Sequence, residues 1–372
     1  MIIGVPREIK NNEFRVGLTP ASVRELAAHG HDVLVETGAG QGIGKDDAAY
    51  VAAGARIAAS PEDVFAQCEL IVKVKEPQAA ERKRLTPDHV LFTYLHLAPD
   101  PEQAHDLIAS GALCIAYETV TSASGGLPLL APMSEVAGRM AVQAGATALE
   151  KSHGGRGVLL GGVPGVEPAR IVILGGGVVG ANAALIAVGS GAEVVVIDRS
   201  LDVLHHLVAQ FGTRIKTVFS TAETIEEHVI AADLVIGAVL IPGASAPRLV
   251  TRALLKKMRP GAVIVDVAID QGGCFETSHP TTHADPVYEV DGIIHYCVAN
   301  MPGGVPHTST YALNNATLPF TLALAAKGAR QALLDDPHLL DGLNVCAGKV
   351  TNRPVADALG LAYSDPRSAL DS

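Results

Sequence analysis

Cationic side chains are scarce in this sequence. Lys and Arg number 28 against 39 Asp and Glu, a formal net charge of −11 over 372 residues. A phosphate-backbone partner calls for a basic face, so no nucleic-acid partner is expected. The one basic run, Arg82-Lys83-Arg84, reads as a solvated helix end. Cysteine is equally sparse. Five stand at 68, 114, 274, 297 and 346, an odd number with no CxxC. That argues against a disulfide framework and a zinc knuckle, and for a reducing compartment. The opening segment MIIGVPREIKNN has no apolar h-region, so no signal peptide is expected. Residues 171–192 carry no charge, but six glycines, Asn182 and Ser190 interrupt them. They read as a buried strand-turn-helix, not as a membrane span. No GxSxG, no P-loop, no internal repeat and no low-complexity tract is present. A soluble cytoplasmic protein is expected.

What is abundant is apolar surface and glycine: 48 % of residues are hydrophobic, only 18 % are charged, and 38 are Gly. At about 150 residues per domain the length suggests two domains. Apolar runs alternate with helical stretches over the first 125 residues. Ile2–Val5, 33–36, 70–74, 90–93 and 114–117 read as buried strands. Residues 21–28, 46–53, 62–67 and 101–110 read as helices, two of them opened by Thr19-Pro20 and Ser60-Pro61. A Gly/Pro/Ser-rich loop, 122–132, marks a boundary, after which 134–151 reads as one long helix opened by Ser134. A second alternation predicts strands at 170–174, 193–197, 215–219, 234–238, 262–267 and 293–298. The MPGGVP segment at 301–306 is the next boundary. A helix follows over 309–332, with Pro319 as a kink. The last 40 residues show modest helical signals and are expected to pack back on the first domain. The fold class is therefore α/β. Two doubly wound parallel-sheet domains of Rossmann type are expected, with a cleft between them and the first domain discontinuous. The boundaries read as 1–128 plus 307–372 for a substrate domain and 129–306 for a dinucleotide domain.

Residues 170–180 read RIVILGGGVVG: a buried strand running into Gly175-x-Gly177-x-x-Gly180, then an Ala-rich helix. Gly175 permits the tight turn, Gly177 lets the backbone approach a pyrophosphate, and Gly180 allows close helix–strand contact. The helix N-terminus offers unpaired N–H groups to phosphates. Asp198 ends the next strand, 21 positions after Gly177, where a carboxylate takes both adenosine ribose hydroxyls and repels a 2′-phosphate. NAD is the expected cofactor. Arg199 beside it is the one feature that favours NADP.

Substrate groups in open parallel sheets lie beyond the carboxyl ends of strands. Arg15, Lys75, His96 and Asp270 do so. Arg grips a carboxylate bidentately, Lys bonds a second oxygen, and His shuttles protons near neutral pH. Each has a bland alternative: a surface ion pair for Arg15, a satisfied buried ring for His96, a solvated strand end for Lys73 or Lys75, a turn former for Asp270. The pair His279 and His283 is interrupted by Pro280, so no zinc site is expected. Nothing near Cys274 argues for a reactive thiolate.

Longer stretches carry a resemblance: Gly4-Val-Pro-Arg-Glu-Ile-Lys-Asn-Asn-Glu-Phe-Arg15-Val, Lys73-Val-Lys75-Glu-Pro77, Phe92-Thr-Tyr-Leu-His96-Leu, Ala131-Pro-Met-Ser134-Glu-Val-Ala-Gly-Arg139, Gly161-Gly-Val-Pro-Gly-Val, Asp266-Val-Ala-Ile-Asp270-Gln-Gly-Gly-Cys and Asn300-Met-Pro302. The whole chain resembles the family of alanine dehydrogenases and the nucleotide-binding subunits of proton-translocating transhydrogenases. The resemblance implies NAD-dependent, reversible oxidative deamination of L-alanine to pyruvate and ammonium. The alternatives are a transhydrogenase subunit, which would need a membrane partner, and a non-catalytic NAD-binding protein. By matching motif, Arg15 and Lys75 would hold the substrate carboxylate, with His96, Asp270 and Lys75 catalytic. NAD would be held by Ser134, Gly175, Gly177, Val178, Val179, Gly180, Asp198, Ser220, Val239, Leu240, Val267 to Asp270, Val298, Asn300 and Met301. A homohexamer and no membrane association are implied. Some relatives carry an acidic residue and a His as a metal pair on the helix after Pro319. Here those positions are Ala323 and Lys327, so no metal is expected. Position 203, where a basic residue would assist the adenosine end, is Val.

Overall fold

The computed structural model describes residues 1–239 and 246–371. The chain divides into two compact units, Met1–Met133 with Gly303 onward, and Ser134–Pro302. In the first, short apolar runs form β1 (Ile2–Val5), β2 (Asp32–Glu36), β3 (Arg56–Ala58), β4 (Leu70–Val72), β5 (Val90–Thr93) and β6 (Leu113–Ala116). The second contains β7 (Arg170–Leu174), β8 (Glu193–Asp198), β9 (Lys216–Phe219), β10 (Leu234–Gly237), β11 (Val263–Asp266), β12 (Val287–Val290) and β13 (Ile293–Tyr296). The chain then returns to the first sheet with β14 (Leu343–Cys346) and β15 (Lys349–Val350).

The first sheet runs β15-β14-β6-β5-β4-β1-β2-β3 and the second β12-β13-β11-β10-β7-β8-β9. Both are parallel apart from one end: β14 is antiparallel to β6 and β15, and β12 is antiparallel to β13. Central strands buried on both faces read as unbroken apolar runs. In the second unit Ile171, Ile173, Val194, Val196, Leu234 and Ile236 pack into one core layer. Their alternates Val172, Leu174, Val195, Ile197 and Val235 pack into the other. Each such side chain contributes about 1.5–3 kcal/mol on burial.

Several elements differ from the sequence expectation, each for a local reason. The strand expected over 70–74 stops at Val72; beyond it the Val74 N–H donates to the Glu8 carboxylate (2.7 Å) instead of a strand neighbour. The strand expected to reach Val267 stops at Asp266, whose side chain accepts the Ala268 N–H and turns the chain into a 3₁₀ helix, Val267–Gln271. The long helix begins at Ala131 and ends at Ala148, so Ser134 lies inside it and does not cap it. The helix Pro306–Lys327 continues through Pro319 and stops at Gly328, φ 77°. Strands β3 and β12 were not expected, nor were β14 and β15 in the C-terminal tail.

Both sheets share one topological feature. The chain builds outward from β1 to β2 and β3, then crosses to build β4, β5 and β6 on the other side. It does the same around β7, with β8 and β9 on one side and β10 and β11 on the other. The direction of winding reverses between β1 and β4 and between β7 and β10. Loops leaving the carboxyl ends of such a strand pair diverge and leave a crevice, which is where ligands bind in open α/β sheets.

Candidate active site

In the first unit, Arg15 lies on the loop after β1 and Lys75 on the segment after β4, the two strands flanking the switch point. The loop is pressed against the end of β4: a Cβ on Gly17 would meet the Val72 carbonyl oxygen at 2.3 Å. Arg15 is buried, and so is its partner. Its Nε donates to Glu13 Oε1 (2.7 Å) and its Nη2 to Glu13 Oε2 (2.6 Å). Nη1 reaches the Met133 sulfur at 3.0 Å. Burial opposes the guanidinium charge, but the Glu13 carboxylate outweighs it and holds the Arg15 pKa above its ordinary value.

Lys73 and Lys75 have different surroundings. Lys73 is fully buried and donates to Glu8 Oε2 (3.1 Å) and Glu81 Oε1 (2.7 Å). Two carboxylates share that one ammonium; burial pushes the Glu8 carboxyl up to about 7, against the pull of Lys73. Lys75 is 9 % exposed, with its Nζ 4.0 Å from Glu76, which is also bonded to Lys10. Neither lysine is a solvated strand end.

His96 follows β5 with an exposed side chain and a left-handed backbone, φ 51°. Such a conformation in a non-glycine residue costs about 1–3 kcal/mol and persists only when its surroundings hold it. Here the Glu118 carboxylate accepts the His96 N–H (2.6 Å) and the Leu95 N–H (3.2 Å), while the Gln103 amide donates to the Leu95 carbonyl (2.6 Å). The His96 ring stacks parallel to Tyr94 at 5.7 Å, and its Nδ1 lies 3.8 Å from Glu118 Oε1. Arg15, Lys75 and His96 thus leave the carboxyl ends of β1, β4 and β5, three neighbouring strands.

In the second unit the glycine turn joins β7 to the helix Val178–Gly189. Gly175 has φ 98°. A Cβ on Gly180 would stand 1.9 Å from the Gly175 carbonyl oxygen, whereas one on Gly177 would meet no atom within 4 Å. The turn is closed where the helix packs on the strand and open where a pyrophosphate would approach. Asp198 ends β8. Its Oδ2 accepts the Gly176 N–H (2.7 Å) and its Oδ1 the Ser200 N–H (2.8 Å). Each oxygen therefore keeps a further lone pair for a ribose hydroxyl. Val203 packs under Gly176 and adds no charge there. This donor set fits a dinucleotide.

The other expected cofactor residues end strands of the same sheet or sit beside them. Ser220 follows β9 and donates its N–H to the Asp198 carbonyl (3.0 Å). Val239 follows β10, across the switch point from Gly175; Leu240 lies outside the described residues. Val267 and the exposed Asp270 lie on the 3₁₀ helix after β11. Val298 and Met301 are buried after β13, and Asn300 between them has φ 64°. Ser134 is half-buried on the helix Ala131–Ala148. Among the described residues no group of His, Cys, Asp or Glu is arranged to hold a metal ion, and no helix is long and apolar enough to cross a membrane.

Four supporting carboxylates did not stand out in the sequence: Glu8, Glu13, Glu118 and Asp266. Asp266 is fully buried and accepts from the Cys274 N–H (3.0 Å) and the Ser278 hydroxyl (2.6 Å), so it ties down both ends of the segment bearing Asp270. Asp266 sits within an apolar strand and Glu8 and Glu118 follow one closely, whereas Glu13, eight residues beyond β1, carries no such local signal.

Comparison with known proteins shows the family. Residues 4–137 match the model of the alanine dehydrogenase/PNT N-terminal domain, and residues 141–353 that of the C-terminal domain. An alanine dehydrogenase of Halomonas elongata is 60 % identical over 370 residues, covering all of both chains. A solved L-alanine dehydrogenase superposes with a TM-score of 0.94 at 53 % identity, over 97 % of this chain and 99 % of that one. A transhydrogenase structure from Sinorhizobium meliloti gives 0.81 at 27 % identity, over 95 % of this chain and 99 % of that one. With both domain models matched and full-length likeness on this scale, the chain belongs to the alanine dehydrogenase/PNT family.

Proposed function

We propose that the protein is an NAD-dependent alanine dehydrogenase. It converts L-alanine, NAD and water to pyruvate, ammonium, NADH and a proton, reversibly. The observation that carries this reading is the placement of Arg15 and Lys75 astride the switch point of one sheet, with His96 on the next strand, in a chain whose other sheet bears a dinucleotide turn at its own switch point. Full-length identity of 60 % to an alanine dehydrogenase, against 27 % to a transhydrogenase, supports the dehydrogenase over the transhydrogenase subunit.

In this mechanism Arg15 and Lys75 hold the alanine carboxylate and fix the direction of the Cα–H bond. Such positioning supplies ~7 kcal/mol or more of barrier reduction. The nicotinamide, when bound, is the hydride acceptor for the Cα hydrogen. His96 removes a proton from the substrate nitrogen, leaving an imine once the hydride has gone. Asp270 orients the water that adds to the imine carbon. His96 and Asp270 then move protons between the oxygen and nitrogen of the carbinolamine as ammonium leaves. Gly175 to Gly180 with the helix N-terminus would hold the pyrophosphate and Asp198 the adenosine ribose. The Asp198 carboxylate supports NAD over NADP because it disfavours a 2′-phosphate.

We further assign the first unit to substrate and the second to NAD, with a homohexamer as the working assembly in the cytoplasm. The five free, buried cysteines support a reducing compartment. The test is NADH absorbance. It should fall when pyruvate and ammonium are added together and stay constant with either alone. Hydride exchange between nucleotides without that reaction would favour the transhydrogenase reading. NADH binding without either reaction would favour a non-catalytic protein. Sedimentation velocity should find six chains per particle.

A further inference from the structure

We propose that Glu13 is the positioning residue for Arg15, and that it sets which edge of the guanidinium is presented to the substrate carboxylate. The proposal rests on the reading of Arg15 as the carboxylate grip.

A guanidinium has five N–H donors and two edges able to hold a carboxylate in parallel: the Nε/Nη2 side and the Nη1/Nη2 end. Glu13 occupies the first, with bonds of 2.7 and 2.6 Å, and its Oε1 also accepts the Arg15 backbone N–H at 3.1 Å. The two side chains are only 1 % and 0 % exposed. The geometry is set locally. Glu13 and Arg15 are two positions apart, the Glu13 N–H donates to the Lys10 carbonyl (3.1 Å), and Phe14 between them turns outward, 54 % exposed. A second carboxylate must therefore be met at the Nη1/Nη2 end. There Nη1 has the Met133 thioether at 3.0 Å. Sulfur of this kind is a weak acceptor, so this contact does little to hold Nη1 against a carboxylate oxygen.

The arrangement separates direction from charge. Paired with Glu13, Arg15 contributes little net positive charge to an incoming anion. On coulombic grounds alone, neutralising Glu13 would tighten binding of an anionic substrate. Positioning demands the opposite. A glutamine in its place turns an amide N–H₂ toward one of the two guanidinium donors, the parallel fork is lost, and the guanidinium rotates away from its presenting pose.

The test uses the full-length enzyme with NADH, ammonium and varied pyruvate, alongside thermal unfolding and NADH affinity by fluorescence. Arg15→Ala comes first. If it leaves the pyruvate KM unchanged, the reading of Arg15 as the carboxylate grip fails, whatever Glu13 does. If it raises KM, Glu13→Gln should raise the pyruvate KM at least tenfold, with kcat within about threefold of wild type and NADH affinity unchanged. Glu13→Asp, which keeps a carboxylate, should recover part of that loss. Glu13→Gln combined with Arg15→Ala should be no worse than Arg15→Ala alone, because Glu13 acts only through Arg15. A KM for Glu13→Gln that stays constant or falls overturns the proposal, and so do fully multiplicative losses in the double variant. Should Glu13→Gln fail to fold, Glu13→Asp decides: a shortened carboxylate that folds and leaves KM at the wild-type value also overturns it.

Discussion

At Asp198 one carboxylate has two sets of partners. Its oxygens accept the Gly176 and Ser200 N–H groups within the protein, and in the proposed complex they accept the ribose hydroxyls as well. Charge-assisted bonds of this type contribute about 1.5–3 kcal/mol. Asp198→Ala should weaken NAD by roughly ten- to a hundredfold. It also removes the repulsion against a 2′-phosphate, so NADP use should rise. The measurement is the ratio of kcat/KM for NAD to that for NADP; an unmoved ratio would show that Asp198 does not meet the ribose. At the other end of the chemistry, His96→Ala should lose at least the ~10²-fold typical of a removed acid–base group, with NADH affinity intact by fluorescence titration. Lys75→Ala should likewise abolish most turnover while NADH still binds. Near-normal rates in that variant would remove Lys75 from the mechanism.

Elements carry a different kind of consequence. The glycine turn makes opposite demands at two positions three apart. Gly180→Ala drives a methyl into the Gly175 carbonyl and should lower the melting temperature. Gly177→Ala meets no atom and has an ordinary negative φ of −66°, so it should melt as wild type yet bind NADH more weakly; equal NADH affinity would place the pyrophosphate elsewhere. The end of β4 is pinned by Glu8, and that pin is pH-dependent. The Glu8 carboxyl titrates near 7 when folded and near 4.5 when unfolded. Between those values the native state binds the extra proton, so the contribution of Glu8 to stability is full below about 4.5 and declines as pH rises through 7. Glu8→Gln lacks this slope. Urea unfolding of both forms from pH 5 to 8 should show wild type losing ground to Glu8→Gln as pH rises; a constant gap would mean that Glu8 keeps an ordinary carboxylate pKa. These pins also explain what could be read from the residues. Apolar runs such as Ile2–Val5 and Arg170–Leu174 gave their strands end to end, because burial on both faces leaves a continuous signature. The turn Gly175 to Gly180 and the strand-end positions of Arg15, His96 and Asp270 were legible for the same reason. The partnership of Glu8 with Lys73, 65 positions apart, was not, since no local pattern marks a buried carboxylate. Strand β3 is only three residues long, and β14 contains Asn344, a polar residue satisfied by Thr119 Oγ1 (2.7 Å) from a distant part of the chain. Neither is visible without its neighbours.

For the molecule as a whole, continuity of the chain separates the two units. Ser134–Pro302 is one unbroken segment with its own seven-stranded sheet. Expressed alone, it should fold cooperatively by circular dichroism and bind NADH; an unfolded fragment would show that its core needs the other unit. The first unit is not self-sufficient in sequence. Residues 1–133 lack β14, and they lack Asn314, which accepts the Thr19 N–H (2.7 Å) and the Ser22 hydroxyl (2.9 Å) at the start of the helix Pro20–Ala28. That fragment should aggregate or remain unfolded by the same measurement. The antiparallel return of β14 onto β6 has a further consequence in time. During synthesis β6 emerges about 230 residues before its partner. At translation rates of 5–20 residues per second this is an interval of roughly 12–46 s. Throughout it β6 stands as an open edge, its row of N–H and C=O groups a template for any passing strand. The second unit is finished within that window while the first waits, so a ribosome-bound chain halted at residue 330 should already resist protease over 134–302 and remain cleavable near Cys114.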